Sequence, residues 1–175
     1  TEILSGGNVI DTYDTAFGFR WYKFTKNTGF SLNGKNVKLN GVCMHHDQGA
    51  LGSAAYYDAM YRQLKIMKDM GANAIRITHN PGDKDFIEIC NKLGLLVIEE
   101  LFDGWVDPKN ENSYDFSSYF TKTLGDDSLL GSSSDMTWAE FAARSVVRRD
   151  RNDPSIILWS LCNEVQEGTY WNNVG

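Results

Sequence analysis

The sequence predicts an α/β fold in which four parallel strands form the first half of a (β/α)8 barrel. Short apolar runs rich in Ile, Val and Leu alternate with segments of helical periodicity, as in parallel sheets with right-handed crossovers. The chain has 175 residues, whereas a complete barrel needs roughly 250. No glycine-rich phosphate loop follows the first run, which weakens the alternative of an open doubly wound sheet.

Four apolar runs are predicted as the barrel strands. Each is short and bounded by residues that break regular structure, which is typical of strands buried on both faces. The predicted strands are Val42–Met44, Ala74–Ile77, Leu95–Ile98 and Ile156–Leu161. Catalytic groups follow the C-terminal ends of strands in such barrels, so the residues after each run are the candidates for a site.

Three helices are predicted between these strands. They run from Ser53 to Met70, from Pro81 to the Gly94 cap, and from the Thr137–Glu140 capping box to Asn152-Asp153-Pro154. A polar loop over residues 108–135 precedes the third helix. Loops of that length inside a compact domain are usually functional or mobile.

The first part of the chain is predicted to be β-rich and to precede the barrel. Residues 11–21 combine aromatic residues and Thr with a Gly break. Asn33-Gly34 is a hairpin turn signal, so Lys35–Leu39 is predicted as the return strand. We therefore divide the chain into a β segment over residues 1–33 and a barrel segment over 34–175.

Composition and charge exclude several classes of function. The chain is 42% hydrophobic and 23% charged with a net charge of −6, which is ordinary for a globular domain. Its one basic cluster, Arg148–Arg151, lies at a predicted helix end where cations suit the dipole, so no nucleic-acid partner is expected. No apolar run of about 18 residues predicts a membrane span. Three unclustered cysteines argue against a disulfide framework and a zinc site.

Polar side chains follow all four predicted strands, and these ends meet at one edge of a barrel. The candidate site residues are His45, Asp47, Arg76, His79, Glu100, Asp103, Trp105, Asn163 and Glu164. No two of them have metal-ligand spacing on one helix, so no metal is expected. The alternatives are polar groups that simply end core strands, histidines satisfied within the core, and a buried salt bridge of Glu99-Glu100 with Arg76.

Two segments resemble the signatures of glycoside hydrolase family 2, which contains β-galactosidases, β-glucuronidases and β-mannosidases. Asn73–Pro81 resembles the first signature, with departures at Ile77 and Asn80. Asp150–Glu164 resembles the acid/base signature, with Asp153 where His, Arg or Tyr is usual. The resemblance implies the N-terminal half of a TIM-barrel glycosidase domain. It also implies that the preceding β segment ends an immunoglobulin-like domain and its linker.

The resemblance implies roles for particular residues in a retaining mechanism, in which two carboxylates lie about 5–5.5 Å apart. Glu164 matches the general acid/base, and Asn163 matches the amide that binds the sugar 2-hydroxyl. A general acid needs a raised pKa, which burial near Trp159 or another carboxylate would supply. The family's nucleophile lies on a later strand, so we expect it outside this chain and expect the isolated chain to be inactive.

The same resemblance guides the expected substrate and cofactor. His45–Asp47 followed by Gly49–Gly52 is similar to the galactosidase branch, so a fragment of a β-galactosidase acting on terminal β-galactosides is favoured. β-Glucuronidase or β-mannosidase is the alternative within the family. A non-catalytic half barrel that binds carbohydrate, or that self-associates through its exposed edges, is the alternative outside it.

Some β-galactosidases of the family hold magnesium through a Glu-x-His pair after the third strand. The matching stretch here, Leu101–Trp105, has no such pair, so no cofactor is expected and magnesium stays the alternative. The sequence does not fix localisation, although an extracellular or cell-surface location is favoured over a cytoplasmic one.

Overall fold

Three sheets organise the chain in the computed structural model, which describes residues 1–164. An antiparallel hairpin consists of β1 (Glu2–Ser5) and β2 (Asn8–Thr12). A second antiparallel sheet consists of β3 (Tyr22–Thr25), β4 (Gly29–Leu32) and β5 (Lys35–Asn36). The parallel sheet consists of β6 (Gly41–Met44), β7 (Ala74–Ile77), β8 (Leu96–Phe102) and β9 (Ile156–Cys162), in that order.

Helices connect the parallel strands. They are α1 (Tyr57–Asp69), α2 (Lys84–Leu93), the short α3 (Ser117–Phe120) and α4 (Trp138–Asp150). Each strand pairs in parallel with the next one along the chain, so the strand–helix alternation predicts the order correctly. The predicted partial barrel is therefore confirmed. None of these helices of the described part is both long and apolar enough to cross a membrane.

The main core lies between the parallel sheet and the first two helices. Its fully or nearly buried side chains are Met60, Leu64, Ile75, Ile77, Phe86, Ile87, Ile89, Cys90, Leu95, Val97 and Ile156. A smaller cluster of Leu101, Phe102, Phe120 and Ala139 packs α3 and α4 against the end of β8. Burial of apolar side chains at these positions is the main force that holds the helices on the sheet.

Two helices begin later than the sequence predicts. The first begins at Tyr57 rather than Ser53, because Gly49–Leu51 forms a 3₁₀ turn and Tyr56 is extended. The second begins at Lys84 rather than Pro81, because the Asp83 side chain accepts the Asp85 N–H at 2.9 Å and caps the helix. Gly94 ends that helix in the left-handed conformation, as predicted.

Two strand boundaries also differ from the prediction. β5 covers only Lys35–Asn36, since only these residues pair with β4. β8 continues to Phe102, because its pairing with β9 extends that far. Glu99 and Glu100 therefore lie inside the strand, and adjacent strand residues point to opposite faces of a sheet. The polar loop over 108–135 contains α3, and the Thr137 hydroxyl caps α4 by accepting the Glu140 N–H at 3.2 Å.

The β-rich first part of the chain contacts the barrel segment near β9. The Arg20 guanidinium donates a hydrogen bond to the carbonyl oxygen of Ile156. A Cβ atom added at Gly18 would come within 2.7 Å of the Pro154 ring, so only glycine allows this close approach. The division of the chain at residues 33 and 34 stays a prediction, and β4 pairs with β5 across it.

Asp153, the residue that departs from the family signature, anchors the approach to β9. Its side chain is buried and accepts hydrogen bonds from Lys84 Nζ at 2.5 Å and from Asn91 Nδ2 at 2.7 Å. The Asn91 Oδ1 atom in turn accepts the Ser155 N–H at 3.0 Å. An acid at this position therefore joins α2 to the segment that begins the last described strand.

We predict that Asp153→Ala lowers the free energy of unfolding by roughly 2–3 kcal/mol, because it removes the acceptor of the Asn91 amide and the nearer of the two acids paired with Lys84. Urea denaturation followed by circular dichroism measures the change. The control is Asp69→Ala, which removes the exposed pair with Lys65 and is expected to cost less than about 0.5 kcal/mol. Equal costs for the two variants would contradict the structural role of Asp153.

Candidate active site

A buried carboxylate joins the ends of three strands. The Glu100 side chain is inaccessible to solvent, and its Oε2 atom accepts hydrogen bonds from Arg76 Nε at 3.0 Å and Nη2 at 2.6 Å. The Ser160 hydroxyl donates to the same oxygen at 2.9 Å. The other oxygen, Oε1, contacts His79 Nδ1. A charged carboxylate loses its hydrogen bonds to water on burial, and these partners replace them.

Arg76 connects Glu100 to Asn163, which follows β9. Burial alone would lower the pKa of its guanidinium, but the contacts with Cys43 and Glu100 outweigh burial and raise the pKa above its usual value. Arg76 Nη2 also donates to Asn163 Oδ1 at 3.2 Å. This contact fixes the carboxamide, so that Asn163 Nδ2 faces Asp103 Oδ1 at 3.4 Å.

A lysine completes the network at the mouth of the site. Lys109 Nζ lies 2.9 Å from Asp103 Oδ1 and 3.2 Å from Glu164 Oε2. The hydrogen bond with Asp103, together with the one to Glu164, raises the pKa of the Lys109 ammonium. Polar contacts therefore run without a break from His79 to Glu164, by way of Glu100, Arg76, Asn163, Asp103 and Lys109.

The network borders a cleft with a volume of about 830 Å³. Residues from the ends of β6, β7, β8 and β9 line it, together with part of the long loop. They are His45, His79, Asn80, Pro81, Leu101, Phe102, Asp103, Gly104, Lys109, Asn110, Asn112, Asp115, Phe116, Ala142, Asn163 and Glu164. A cleft of this size at the C-terminal edge of a parallel sheet has the position and dimensions of a small-molecule site.

The structure brings most of the predicted site residues to this cleft. His45, His79, Asp103, Asn163 and Glu164 line it, and the His45 ring packs edge-to-face on His79 with the centroids 5.2 Å apart. Arg76 and Glu100 lie behind the lining and hold His79 and Asn163 in place. The salt bridge between Arg76 and Glu100, one of the alternatives drawn from the sequence, is present.

Two other predicted site residues, Asp47 and Trp105, belong neither to the cleft lining nor to the polar network behind it. The Asp47 side chain accepts the Gly49 N–H at 2.7 Å, and its carbonyl oxygen accepts from Gln63 Nε2 at 2.7 Å. Asp47 thus ties the turn after β6 to α1. Trp105 is only 7% exposed and so presents no open aromatic face.

Two residues of the network were not anticipated from the sequence. Ser160 pairs with Glu100 in the register of β8 and β9, so the alternation of side chains along β9 is the signal that predicts its inward direction. Lys109 lies in the long polar loop, whose length indicates function but does not single out this lysine.

The expected burial of the Glu164 carboxyl near Trp159 is not found among residues 1–164. The Glu164 side chain is 71% exposed, and Trp159 packs instead against the core under α1 and α2. The reason is the alternation of β9, which sends Trp159 toward the helices while Glu164 follows the strand's end into the cleft.

No three His, Cys, Asp or Glu side chains between residues 1 and 164 are grouped so that they would hold a metal ion. Glu100, behind the lining, is paired with Arg76, and Asp103 and Glu164 are paired with Lys109. Asp115, also in the lining, accepts hydrogen bonds from the Lys109 N–H and from Ser117. The expectation that the chain needs no cofactor stays a prediction.

Known proteins resemble the chain along nearly its whole length. It is 37% identical over 167 residues to the β-galactosidase BoGH2A of Bacteroides ovatus, covering 95% of this chain and 18% of that protein. It is 30% identical over 161 residues to a β-glucuronidase of Bacteroides fragilis, covering 92% of this chain and 21% of that protein. The crystal structure of a β-glycosidase from Bacteroides vulgatus matches with a TM-score of 0.85 and 36% identity, over 99% of this chain and 20% of that one.

The chain thus spans about a fifth of the length of these relatives. Residues 24–175 match the model of the TIM barrel domain of the family 2 glycosyl hydrolases. The four-stranded parallel sheet and the cleft at its C-terminal edge agree with that match. The chain belongs to glycoside hydrolase family 2.

Proposed function

We propose that the chain is part of a retaining β-galactosidase in which Glu164 is the general acid/base. The observation that carries the proposal is the single network that places Asp103, Asn163 and Glu164 side by side at the cleft. Glycoside hydrolysis requires a carboxyl group at the glycosidic oxygen and hydrogen bonds to the sugar hydroxyls. These three side chains supply both from two neighbouring strand ends.

Glu164 would act in two steps. It would first protonate the leaving glycosidic oxygen, and as the resulting carboxylate it would then activate the water that releases the sugar. Its exposed carboxyl faces open space in the cleft, where a leaving group and a water molecule have access. Lys109 Nζ, 3.2 Å away, balances the charge of the ionised form that the second step uses.

Asn163 and Asp103 would bind the sugar. Arg76 holds the Asn163 carboxamide oxygen and so keeps the amide nitrogen pointed at the cleft. The contact of that nitrogen with Asp103 is long, at 3.4 Å, and would be exchanged for one with a sugar hydroxyl. Burial by itself would raise the pKa of Asp103, but the hydrogen bonds from Lys109 and Asn163 outweigh burial and hold the pKa below its usual value. Asp103 is therefore an ionised acceptor for sugar hydroxyl groups at neutral pH.

The nucleophile is proposed to come from outside this chain. Glu100, the buried acid at the site, uses both oxygens on Arg76, Ser160 and His79. Asp103 is paired with Lys109. Within the described residues, β6 and β9 each pair on one side only, and the remaining strands of a barrel would cover these edges and carry the second carboxylate.

A β-glucuronidase is the second candidate. The supporting observation is that relatives of similar identity carry that name, including the protein from Bacteroides fragilis. The resemblance of His45–Asp47 and the following turn to the galactosidase branch supports the first candidate instead. A β-mannosidase and a non-catalytic carbohydrate-binding half barrel remain alternatives, and the assays below distinguish them.

We predict that the chain by itself does not hydrolyse nitrophenyl β-galactoside, β-glucuronide or β-mannoside, because the proposal assigns the nucleophile to a strand outside it. Release of nitrophenol measures turnover, and circular dichroism establishes that the chain is folded. Galactoside turnover that vanishes in Glu164→Gln would show that an internal carboxylate serves as nucleophile, contrary to the proposal.

A chimera tests the role of Glu164 directly. This chain replaces the matching 167-residue stretch of BoGH2A, which supplies the rest of the barrel. We expect the chimera to hydrolyse nitrophenyl β-galactoside and Glu164→Gln to lower kcat/KM by about 10²–10⁴-fold, the usual contribution of general acid–base catalysis. Glu140→Gln, which alters an acid on α4 paired with Arg144, is the matched control and should keep full activity. Equal rates for the Glu164 and Glu140 variants would refute the assignment.

We predict that Lys109→Ala raises the pKa of Asp103, since the hydrogen bond and positive charge that lower it are removed while burial remains. Carboxyl ¹³C chemical shifts of the labelled chain, followed from pH 2 to pH 7, report the titration. Lys122→Ala removes a lysine that lies over the Tyr119 ring and should leave the Asp103 titration unchanged. An unchanged Asp103 pKa in Lys109→Ala would contradict the pairing.

A further inference from the structure

Two consecutive glutamates of β8 hold the two ends of one short segment. Glu100 faces the interior of the half barrel and contacts the His79 ring. Glu99 faces the helices, and its Oε1 atom accepts the Gly82 N–H at 2.9 Å. The segment between these contacts, His79–Pro81, forms one wall of the cleft. Both carboxylates are completely buried, so each anchor is shielded from water.

Gly82 is also held through its carbonyl oxygen, which accepts a hydrogen bond from Arg149 Nη2 at 2.6 Å. Arg149 is fixed in turn by two bonds to Asp150, from Nε at 2.7 Å and from Nη2 at 2.6 Å. A Cβ atom at Gly82 would lie 2.8 Å from Ile77 Cδ1, so a side chain there would require the tip of Ile77 or the segment itself to move.

Charged groups surround Glu99 from α2, α4 and the approach to β9. Asp150, Asp153, the Cys90 thiol and the Arg149 cation interact with Glu99 directly. Asp83 interacts with Arg149, and Lys84 pairs with Asp150 and Asp153. Burial raises the pKa of Glu99 to about 7, against the opposing effect of the Gly82 N–H, and the carboxylate of Asp150 adds to the rise. The second oxygen, Oε2, has no hydrogen-bond partner among residues 1–164.

We propose that Glu99 is a positioning residue, which acts with Arg149 to clamp Gly82 from the helix side and so fixes the wall segment His79–Pro81. Glu99 does not line the cleft itself, so its effect on the cleft is transmitted through Gly82 to the wall segment. Its importance for turnover rests on the proposed function, whereas its effect on the wall does not. Ionisation of Glu99 strengthens the bond to Gly82, because a carboxylate is a better acceptor than a carboxylic acid.

The direct test is a pH titration of the Gly82 amide by ¹⁵N–¹H NMR on the labelled chain. We expect its resonance to shift with a midpoint near pH 7. The transition should vanish in Glu99→Gln, which keeps the shape and an acceptor oxygen but does not ionise. It should persist in His79→Gln and in His46→Gln, which replace the imidazoles that contact Glu100 and the Pro81 carbonyl oxygen. A transition that survives unchanged in Glu99→Gln overturns the proposal.

Hydrogen exchange supplies a second test. We expect the Gly82 amide to exchange at least about 100-fold more slowly than an open amide in the parent chain and in Glu99→Gln. In Glu99→Leu it should exchange at least tenfold faster, and the His79 and Asn80 resonances should shift, while the Leu64 amide in α1 stays protected. A Gly82 amide that exchanges freely in the parent chain refutes the clamp, even if Glu99→Leu does not fold. Neither measurement uses a glycoside, so failure of the galactosidase assays leaves the clamp intact.

The sign of the stability change follows from the raised pKa. A carboxyl whose folded pKa lies above its unfolded value stabilises the fold at low pH, and this contribution is lost as the pH rises toward about 7. The parent chain should therefore lose more thermal stability between pH 5 and pH 8 than Glu99→Gln does. Equal losses would show that Glu99 does not titrate in the buried position that the clamp requires.

Discussion

The site depends on one buried charge, the carboxylate of Glu100. Taking an unpaired carboxylate out of water costs several kcal/mol, so the fold must surround it with donors. Arg76 and His79 provide these donors from β7 and the turn after it, and Ser160 provides one from β9. Their positions are therefore set by the need to satisfy Glu100. The orientation of Asn163 is fixed in turn, because Arg76 has a further N–H that it donates to the Asn163 carboxamide oxygen.

The network divides into a rigid inner part and a more accessible outer part. The inner part, around Glu100, is packed inside the sheet and would tolerate few changes. The outer part, formed by Asp103, Lys109 and Glu164, is partly exposed and can exchange its internal contacts for contacts with a ligand. This arrangement suits a site that holds its orienting groups still and leaves its reacting group open to substrate and water.

Much of the fold follows from the sequence because the apolar runs are unambiguous. The four parallel strands and their order agree with the pattern of Val42–Met44, Ala74–Ile77, Leu95–Ile98 and Ile156–Leu161. Helix starts were less accurate, since local contacts decide them: Asp83 caps α2, and a 3₁₀ turn occupies Gly49–Leu51. The extent of β8 depends on pairing with a strand some 60 residues away, which a local pattern does not contain.

The candidate site was predictable to the same degree. The positions just after the predicted strands identify five residues that all line the cleft, namely His45, His79, Asp103, Asn163 and Glu164. Asp47 and Trp105 also follow strands, but turn hydrogen bonds and packing direct them elsewhere. Lys109 could not be found in this way, because its position depends on how the long loop folds over the cleft. The position of a residue along a strand indicates which face of the sheet its side chain points to, whereas the position of a residue along a loop gives no such indication.

The contact between Arg20 and Ile156 has a consequence for the order of folding. It joins residues separated by 136 positions, so it closes one of the longest loops in the chain. During synthesis the residues around Gly18 and Arg20 emerge first, yet their partner in β9 appears only after every other strand and helix of the described part. The early β segment therefore cannot make this contact until β9 has been synthesised. Contacts of such high sequence separation also slow the final assembly of the domain.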